Sequence, residues 1–356
     1  MTATTASPDT PASAPARPGQ RRVAEANASR PSKPPRPHAS TAPVFIVGAH
    51  RSGTTLLRYM LRGGGRIYIP PESDFIPRFF RDPGRRLSRR RAAAILHRLQ
   101  TEKRYERFWR EWTGPALRVE AICPGESCTP GEFVDRLFTA YAQRHGAERW
   151  GDKTPVYAGY LPLLHRMLPE ARFVHIVRDG RDAAMSMVEK WGEKEWHTDL
   201  LFALKSWQRR VRLARRSGHG LGPDRYTEVR YEDLVADPEP ELRRLCDFLG
   251  EPFDPAMTVP QRTASGEVWA GDIFHRRLHE APNAGHTLRW VREMPAGDRA
   301  LARKAVGETL RGFGYDPDPR CEARLDRKRW LALSAKLAGT RTARAAAVAL
   351  RVLPPN

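Results

Sequence analysis

The chain of 356 residues predicts an α/β fold, an open parallel sheet with helices on both faces. Three observations carry that expectation. Short apolar, β-rich runs alternate with helix-length segments from residue 43 onward. The first run leads through a glycine loop directly into a helix. Distinctive polar residues then recur just after the runs, at the carboxyl ends of strands, where an open parallel sheet binds its ligands.

The elements follow in order. Residues 1–42 are rich in Pro, Ala, Ser and Thr with almost no large apolar side chains, so they form no core and are expected to be disordered. Order is expected to begin at Pro43, with a buried strand over 44–47. A helix over 54–62 ends at the glycines 63–65. A second short strand at 66–69 is stopped by Pro70 and Pro71. Residues 85–112 read as one or two basic amphipathic helices, because Tyr105, Phe108, Trp109 and Trp112 keep the i, i+3, i+4, i+7 spacing.

After a loop at 113–130 come a helix over 132–144, a strand at 149–151 and a helix over 157–168. The clearest interior strand, 173–177, is followed by a helix over 181–191. A strand at 226–230 and a helix over 239–249, closed by Gly250, complete the pattern. No element is assigned to 192–225, and 252–300 reads as a long loop with one short helix. The expected organisation is a tail over 1–42, a domain over 43–319 holding a basic helical insertion at 81–112, and a basic helical tail over 320–356.

A net charge of +20 suggests a nucleic-acid partner until it is localised. Residues 1–42, 81–110 and 320–356 carry +4, +8 and +7, which leaves the rest of the chain at +1. The near-neutral remainder contains the motif segments, so nucleic acid is not the expected partner. The charged segments read either as solvated faces or as contacts for an anionic partner. In the C-terminal tail, Trp330, Leu333 and Leu337 make an apolar stripe among basic residues, as a helix at an anionic lipid surface would. Four cysteines are too few for a disulfide framework, and the single C-x4-C at Cys123 and Cys128 lacks the second pair of a zinc site. With no apolar run of spanning length and no signal-peptide core at the N-terminus, the expected location is cytoplasmic, with peripheral membrane contact as a further option.

Residues 44–55 read VFIVGAHRSGTT. Gly48 and Gly53 stand at the G-x-x-x-x-G spacing, so the loop can wrap a phosphate with backbone N–H groups at a helix N-terminus, which makes the fold P-loop-like. Thr54 occupies the place where a nucleotide kinase or ATPase has lysine, and the positive charge sits inside the loop at Arg51. That favours a 5′-phosphate ligand over a triphosphate.

This loop resembles the 5′-phosphosulfate loop of sulfotransferases that use 3′-phosphoadenosine 5′-phosphosulfate (PAPS), in the arginine-loop branch that includes bacterial, carbohydrate and tyrosyl-protein enzymes. The resemblance implies that His50, Arg51, Ser52, Gly53, Thr54 and Thr55 hold the phosphosulfate end. Glu72, in PPESDFIPRFF, is similar by position to the family's catalytic glutamate, and a carboxylate there can take the proton of an attacking hydroxyl. Asp74 is the alternative base. Lys153, in WGDKTP, resembles the lysine that neutralises the departing phosphate oxygen, with Asp152 as its expected orienting partner.

FVHIVRDGRDAAMSM at 173–187 resembles the segment whose strand-end arginine and later serine clamp the cofactor's 3′-phosphate, here Arg178 and Ser186. The alternative is that Arg178 and Arg181 are structural, paired with Asp179 and Asp182. His175 inside the strand reads as a core histidine. Tyr231, in the segment 227–250, is expected near the nucleotide, and Arg289, in HTLRWV, is expected as a phosphate contact from a closing loop.

Together these imply sulfuryl transfer from PAPS to a hydroxyl or amine, with Glu72, Lys153 and Arg51 catalytic, 3′,5′-adenosine bisphosphate as product and no metal. The acceptor stays open among small molecules, carbohydrates, lipids and peptides. Two other readings remain: a nucleotide-dependent kinase, which lacks its lysine here, and a catalytically silent nucleotide- or nucleic-acid-binding protein.

Overall fold

Strand β1, Val44–Gly48, is buried along its whole length and is the centre of the molecule. Its neighbours in the five-stranded sheet stand in the order β2-β5-β1-β6-β7. Every pairing in that sheet is parallel. The computed structural model describes residues 41–192, 199–264, 285, 287–318 and 323–349. The expected tail at 1–42 therefore lies outside the described residues except for its last two.

The chain runs from β1 through α1 (Thr54–Arg62) to β2 (Ile67–Tyr68), then α2 (Ile76–Phe79), β3 (Leu87–Ser88), α3 (Arg89–Thr101), α4 (Glu106–Trp109), α5 (Val119–Ile122) and β4 (Ser127–Cys128). It continues with α6 (Pro130–Arg144), β5 (Arg149–Lys153), α7 (Leu161–Met167), β6 (Arg172–Val177), α8 (Gly180–Trp191), α9 (Leu200–Leu221) and β7 (Tyr226–Arg230). The last elements are α10 (Tyr231–Ala236), α11 (Pro238–Leu249), α12 (Pro260–Ala264), α13 (Arg289–Glu293), α14 (Ala296–Gly312) and α15 (Arg327–Ala349).

Period-two alternation sends the two sets of side chains of β1 into different cores. Phe45 and Val47 join Phe173, Trp150 and the aromatic residues of α4 and α6. Val44 and Ile46 join Val174, Ile176, Val229 and the helices α1 and α11. Both faces are thus covered, as the near-continuous apolar strands require. Local signals set the helix ends. Thr129 and Glu132 form a reciprocal capping box before α6, and Gly250 closes α11 in the left-handed region at φ 68°.

Several expectations change. The helical reading of 85–112 breaks into α3, a 3₁₀ turn and α4, and residues 87–88 instead pair with 127–128 as a two-stranded antiparallel ribbon. Even so, Tyr105 and Phe108 are buried and Trp109 and Trp112 pack beside them, so the aromatic spacing does mark a core face. The insertion belongs to the same core as the sheet. Two long helices, α9 and α14, stand where no element was expected; they pack on each other and, with α8, make a third core around Trp207. The stripe Trp330, Leu333 and Leu337 of α15 packs against that third core, so these side chains are turned toward the domain and not toward a lipid surface. Lys336 with Asp199 and Arg329 with Asp298 fasten the same helix by ion pairs. Among the described residues no helix is long and apolar enough to cross a membrane.

Candidate active site

The glycine loop leaves β1 at its carboxyl end, and its geometry depends on two glycines. A Cβ at Gly48 would stand 2.6 Å from the Ile176 carbonyl oxygen, and one at Gly53, which has φ 92°, would meet the Tyr231 ring at 2.4 Å. Arg51 sits at φ 64°, an uncommon place for a non-glycine residue, and is held there by side-chain contacts. Its Nε donates to Ser186 Oγ on α8 at 3.0 Å, and Arg178 Nη1 donates to the Arg51 carbonyl at 3.2 Å. The expected 5′- and 3′-phosphate segments therefore touch. Ser186 accepts from Arg51 with its oxygen and keeps its own hydroxyl hydrogen for a ligand. Ser52 Oγ is buried in the loop with no partner among the described residues, a polar atom that an anion in the cradle would satisfy.

Lys153 is the last residue of β5, which runs two residues further than its sequence pattern suggests, and it pairs in register with Ile46 of β1. Its buried Nζ lies 2.6 Å from Glu72 Oε1 and 3.3 Å from Thr55 Oγ1 on α1. The expected base, the expected leaving-group lysine and the glycine-loop helix thus meet at one point. Arg107 Nη1 approaches the other carboxylate oxygen of Glu72 at 3.7 Å. Burial would raise the pKa of Glu72, but the charges of Lys153 and Arg107 and the lysine hydrogen bond outweigh it and hold the carboxyl at about 2. Burial drives the Lys153 pKa down against the pull of Glu72.

Glu72 is held in place from behind. Pro70 and Pro71 stiffen its approach, and the next residue, Ser73, is anchored by its N–H to Thr154 Oγ1 at 3.1 Å. Ser73 Oγ lies 2.5 Å from Asp152 Oδ2 and 2.8 Å from the Tyr157 hydroxyl. Asp152 therefore supports the Glu72 loop rather than orienting Lys153; neighbouring residues of a strand point to opposite faces. Burial pushes the Asp152 carboxyl up to about 7. A carboxyl raised above its unfolded value of about 3.8 contributes stability that is complete at acid pH and is lost as pH rises toward 7. Asp152→Asn should therefore melt at a temperature less dependent on pH between 4 and 8 than the wild type, which is checked by parallel melts across that range.

Asp74, the alternative base, has φ 49° and pairs with Arg78 at 2.9 Å, away from Lys153. Arg181 is structural, bonding Asp179 with two nitrogens and stacking on Trp290 at 3.3 Å. Arg178 has a looser pair with Asp182 at 3.8 Å and lies 4.6 Å from the Tyr231 ring, so Tyr231 packs beneath the arginine and against Gly53. Arg289 departs from its expected role: its guanidinium is taken by Glu189 at 2.5 Å and Glu293 at 2.6 Å, which raise its pKa. Glu189 lies one turn beyond Ser186 on α8, and the Trp290 N–H bonds Asp182 at 2.8 Å, so the segment does dock on the expected helix. His50 packs edge-on to Trp191 at 5.5 Å, and burial together with Arg210 and Lys153 lowers its pKa to about 3. His175 is a bonded core histidine, 2.6 Å from the Tyr226 hydroxyl.

Sequence reasoning missed Arg107. It lies 35 positions from Glu72 on a helix that only the tertiary fold returns to the site, and no local pattern marks it.

The chain matches known proteins along this whole region. A family model described as the sulfotransferase family matches residues 43–255. Protein-tyrosine sulfotransferase A of Caenorhabditis elegans is 24% identical over 282 residues, 77% of this chain and 67% of that protein. Protein-tyrosine sulfotransferase of Drosophila melanogaster is 24% identical over 286 residues, 77% of this chain but only 52% of that protein. Among solved structures, the sulfotransferase domain from the Synechococcus PCC 7002 olefin synthase superposes with a TM-score of 0.55 at 25% identity, covering 79% of this chain and 98% of that domain. The sulfotransferase domain from the curacin biosynthetic pathway gives 0.54 at 21% identity, over 78% and 99% of the two chains.

Proposed function

The chain belongs to the sulfotransferase family, and from that premise we propose that it transfers the sulfuryl group of PAPS to an acceptor hydroxyl by in-line displacement. The observation that carries this reading is the meeting of Glu72, Lys153 and Thr55 beside a glycine loop whose arginine touches Ser186. The loop amides and Arg51 would hold the phosphosulfate end, and Arg178 and Ser186 the 3′-phosphate. PAPS supplies a sulfuryl group on a 5′-phosphate whose departure leaves charge on the bridging oxygen. Lys153, buried and 2% exposed, is placed to meet that charge in a low-dielectric site, where it is worth most. Glu72 keeps 27% of its side chain open, enough for an acceptor hydroxyl to reach it. The relatives named above act on protein tyrosine, which makes a phenolic hydroxyl the first acceptor to assay.

The test is nucleotide choice. Calorimetry should show tight binding of 3′,5′-adenosine bisphosphate and little of ATP; equal affinity for both would overturn the reading. Arg178→Ala should weaken the bisphosphate by about 1.5–3 kcal/mol, the scale of a hydrogen bond to a charged group.

A further inference from the structure

The basic insertion contains a groove that the proposed reaction does not use. A cavity of 550 Å³ is lined by Arg78, Arg81, Arg85, Arg86 and Arg91, with Phe79, Phe80 and Leu87 as its apolar wall. Two of the five arginines are engaged elsewhere: Arg78 pairs with Asp74, and Arg86 bonds Ser127 through both its Oγ and its carbonyl. Among the described residues, the side chains of Arg81, Arg85 and Arg91 have no carboxylate partner, and their main-chain bonds leave the guanidiniums available. The one acid in the lining, Asp82, turns an oxygen to the N–H of Gly84 at 3.0 Å. The groove also opens at the start of α3, a helix of 13 residues with no acidic side chain in its first turn, so the positive end of its dipole adds to the field.

Three unpaired guanidiniums around one cavity suit a compact dianion with three acceptor oxygens better than a single carboxylate. Each planar fork can give two parallel N–H bonds to a tetrahedral oxyanion. The apolar wall beside them suits an organic substituent. We propose that this groove is a second anion site, separate from the glycine loop, that binds a phosphomonoester. The neighbouring backbone is tied down: Arg89 donates to the carbonyls of Pro124 and Gly125, and Leu87 and Ser88, which line the cavity, are paired with β4. The phosphomonoester can belong to a soluble molecule or to a lipid headgroup.

The experiment fills the nucleotide site first, with saturating 3′,5′-adenosine bisphosphate, and then titrates phenyl phosphate by calorimetry at physiological salt. Saturable binding is expected, weaker for the monoanion phenyl sulfate. The triple variant Arg81→Ala/Arg85→Ala/Arg91→Ala should lose about tenfold or more, the scale of lost charge-assisted hydrogen bonds. Arg90→Ala, exposed on the same helix but outside the groove, should bind as the wild type does. A parallel arm sediments the protein with phosphatidylcholine vesicles containing phosphatidic acid or phosphatidylserine. Selective pelleting with phosphatidic acid, lost in the triple variant, assigns the lipid source; binding of phenyl phosphate without pelleting assigns the soluble one. No saturable binding of either phosphomonoester, or equal binding by the triple variant, overturns the site. Failure of the bisphosphate to bind would instead count against the proposed reaction and leave the groove standing.

Discussion

Glu72→Gln is expected to bind nucleotide as the wild type does and to turn over about 10²–10⁴-fold more slowly, the usual weight of a general base. Glutamine preserves the size of the side chain and still offers an oxygen to Lys153, so the site keeps its shape and loses only the proton acceptor. A carboxylate held at about 2 is a weak base toward a hydroxyl. On the proposed mechanism it strengthens during the reaction, because Lys153 turns its charge toward the departing oxygen and releases the carboxylate as the hydroxyl proton needs a home. Single-turnover kinetics with a phenolic acceptor, alongside calorimetry of the bisphosphate, separates the two effects. Near-normal turnover of Glu72→Gln with an inactive Asp74→Asn would move the base to Asp74.

Lys153→Met should cost about 10²–10³-fold in kcat, the loss seen when one group that stabilises developing charge is removed. A second signature distinguishes it from a structural defect. Burial alone would raise Glu72, and Lys153 is the strongest of the charges opposing it, so the variant's Glu72 titrates higher than the wild type's 2 or so. The acidic limb of its kcat/KM profile should therefore appear at higher pH. Because the two side chains act as a unit, the double variant Glu72→Gln/Lys153→Met should be much less impaired than the product of the single effects. A fully multiplicative double variant would show that the 2.6 Å pair in the resting protein plays no joint part in turnover.

Much of the candidate site was legible because its residue patterns are local. The glycine loop, the acid after Pro71, the lysine at a strand end and the arginine after Val177 each announce themselves within a few residues, and parallel topology gathers strand ends at one edge. The structure brings Glu72 to Lys153 and Arg51 to Ser186 as that logic requires. What the sequence hid was contrast and distance. Helix α14 buries Leu301, Val306 and Leu310, but most of the rest of its buried face is alanine, glycine and threonine, so little apolar contrast marks it in the sequence. Helix α9 does carry Leu201, Leu204, Trp207, Val211 and Ala214 at helical spacing, but three arginines between them and two more directly after make the stretch look like a charge run. Arg289 has the right neighbourhood and the wrong partners, because Glu189 and Glu293 compete for it; which acid folds beside an arginine is a tertiary fact.

Glu111 ties the insertion to α1, the helix that follows the glycine loop. It accepts from Arg58 of α1 at 2.6 and 2.9 Å, from the Tyr68 hydroxyl at 2.8 Å and from Arg62 at 3.4 Å, while sitting just after α4. For anyone wishing to retarget such an enzyme by cassette exchange, this sets the cut points. A donor segment spliced in place of residues 81–112 would take the Glu111 carboxylate away from Arg58, which is 4% exposed, and breaking a buried ion pair by removing one partner is strongly destabilising. The transplant must bring its own acid at that position or arrive with a compensating change in α1, so the insertion and α1 of this scaffold are heritable only as a matched set.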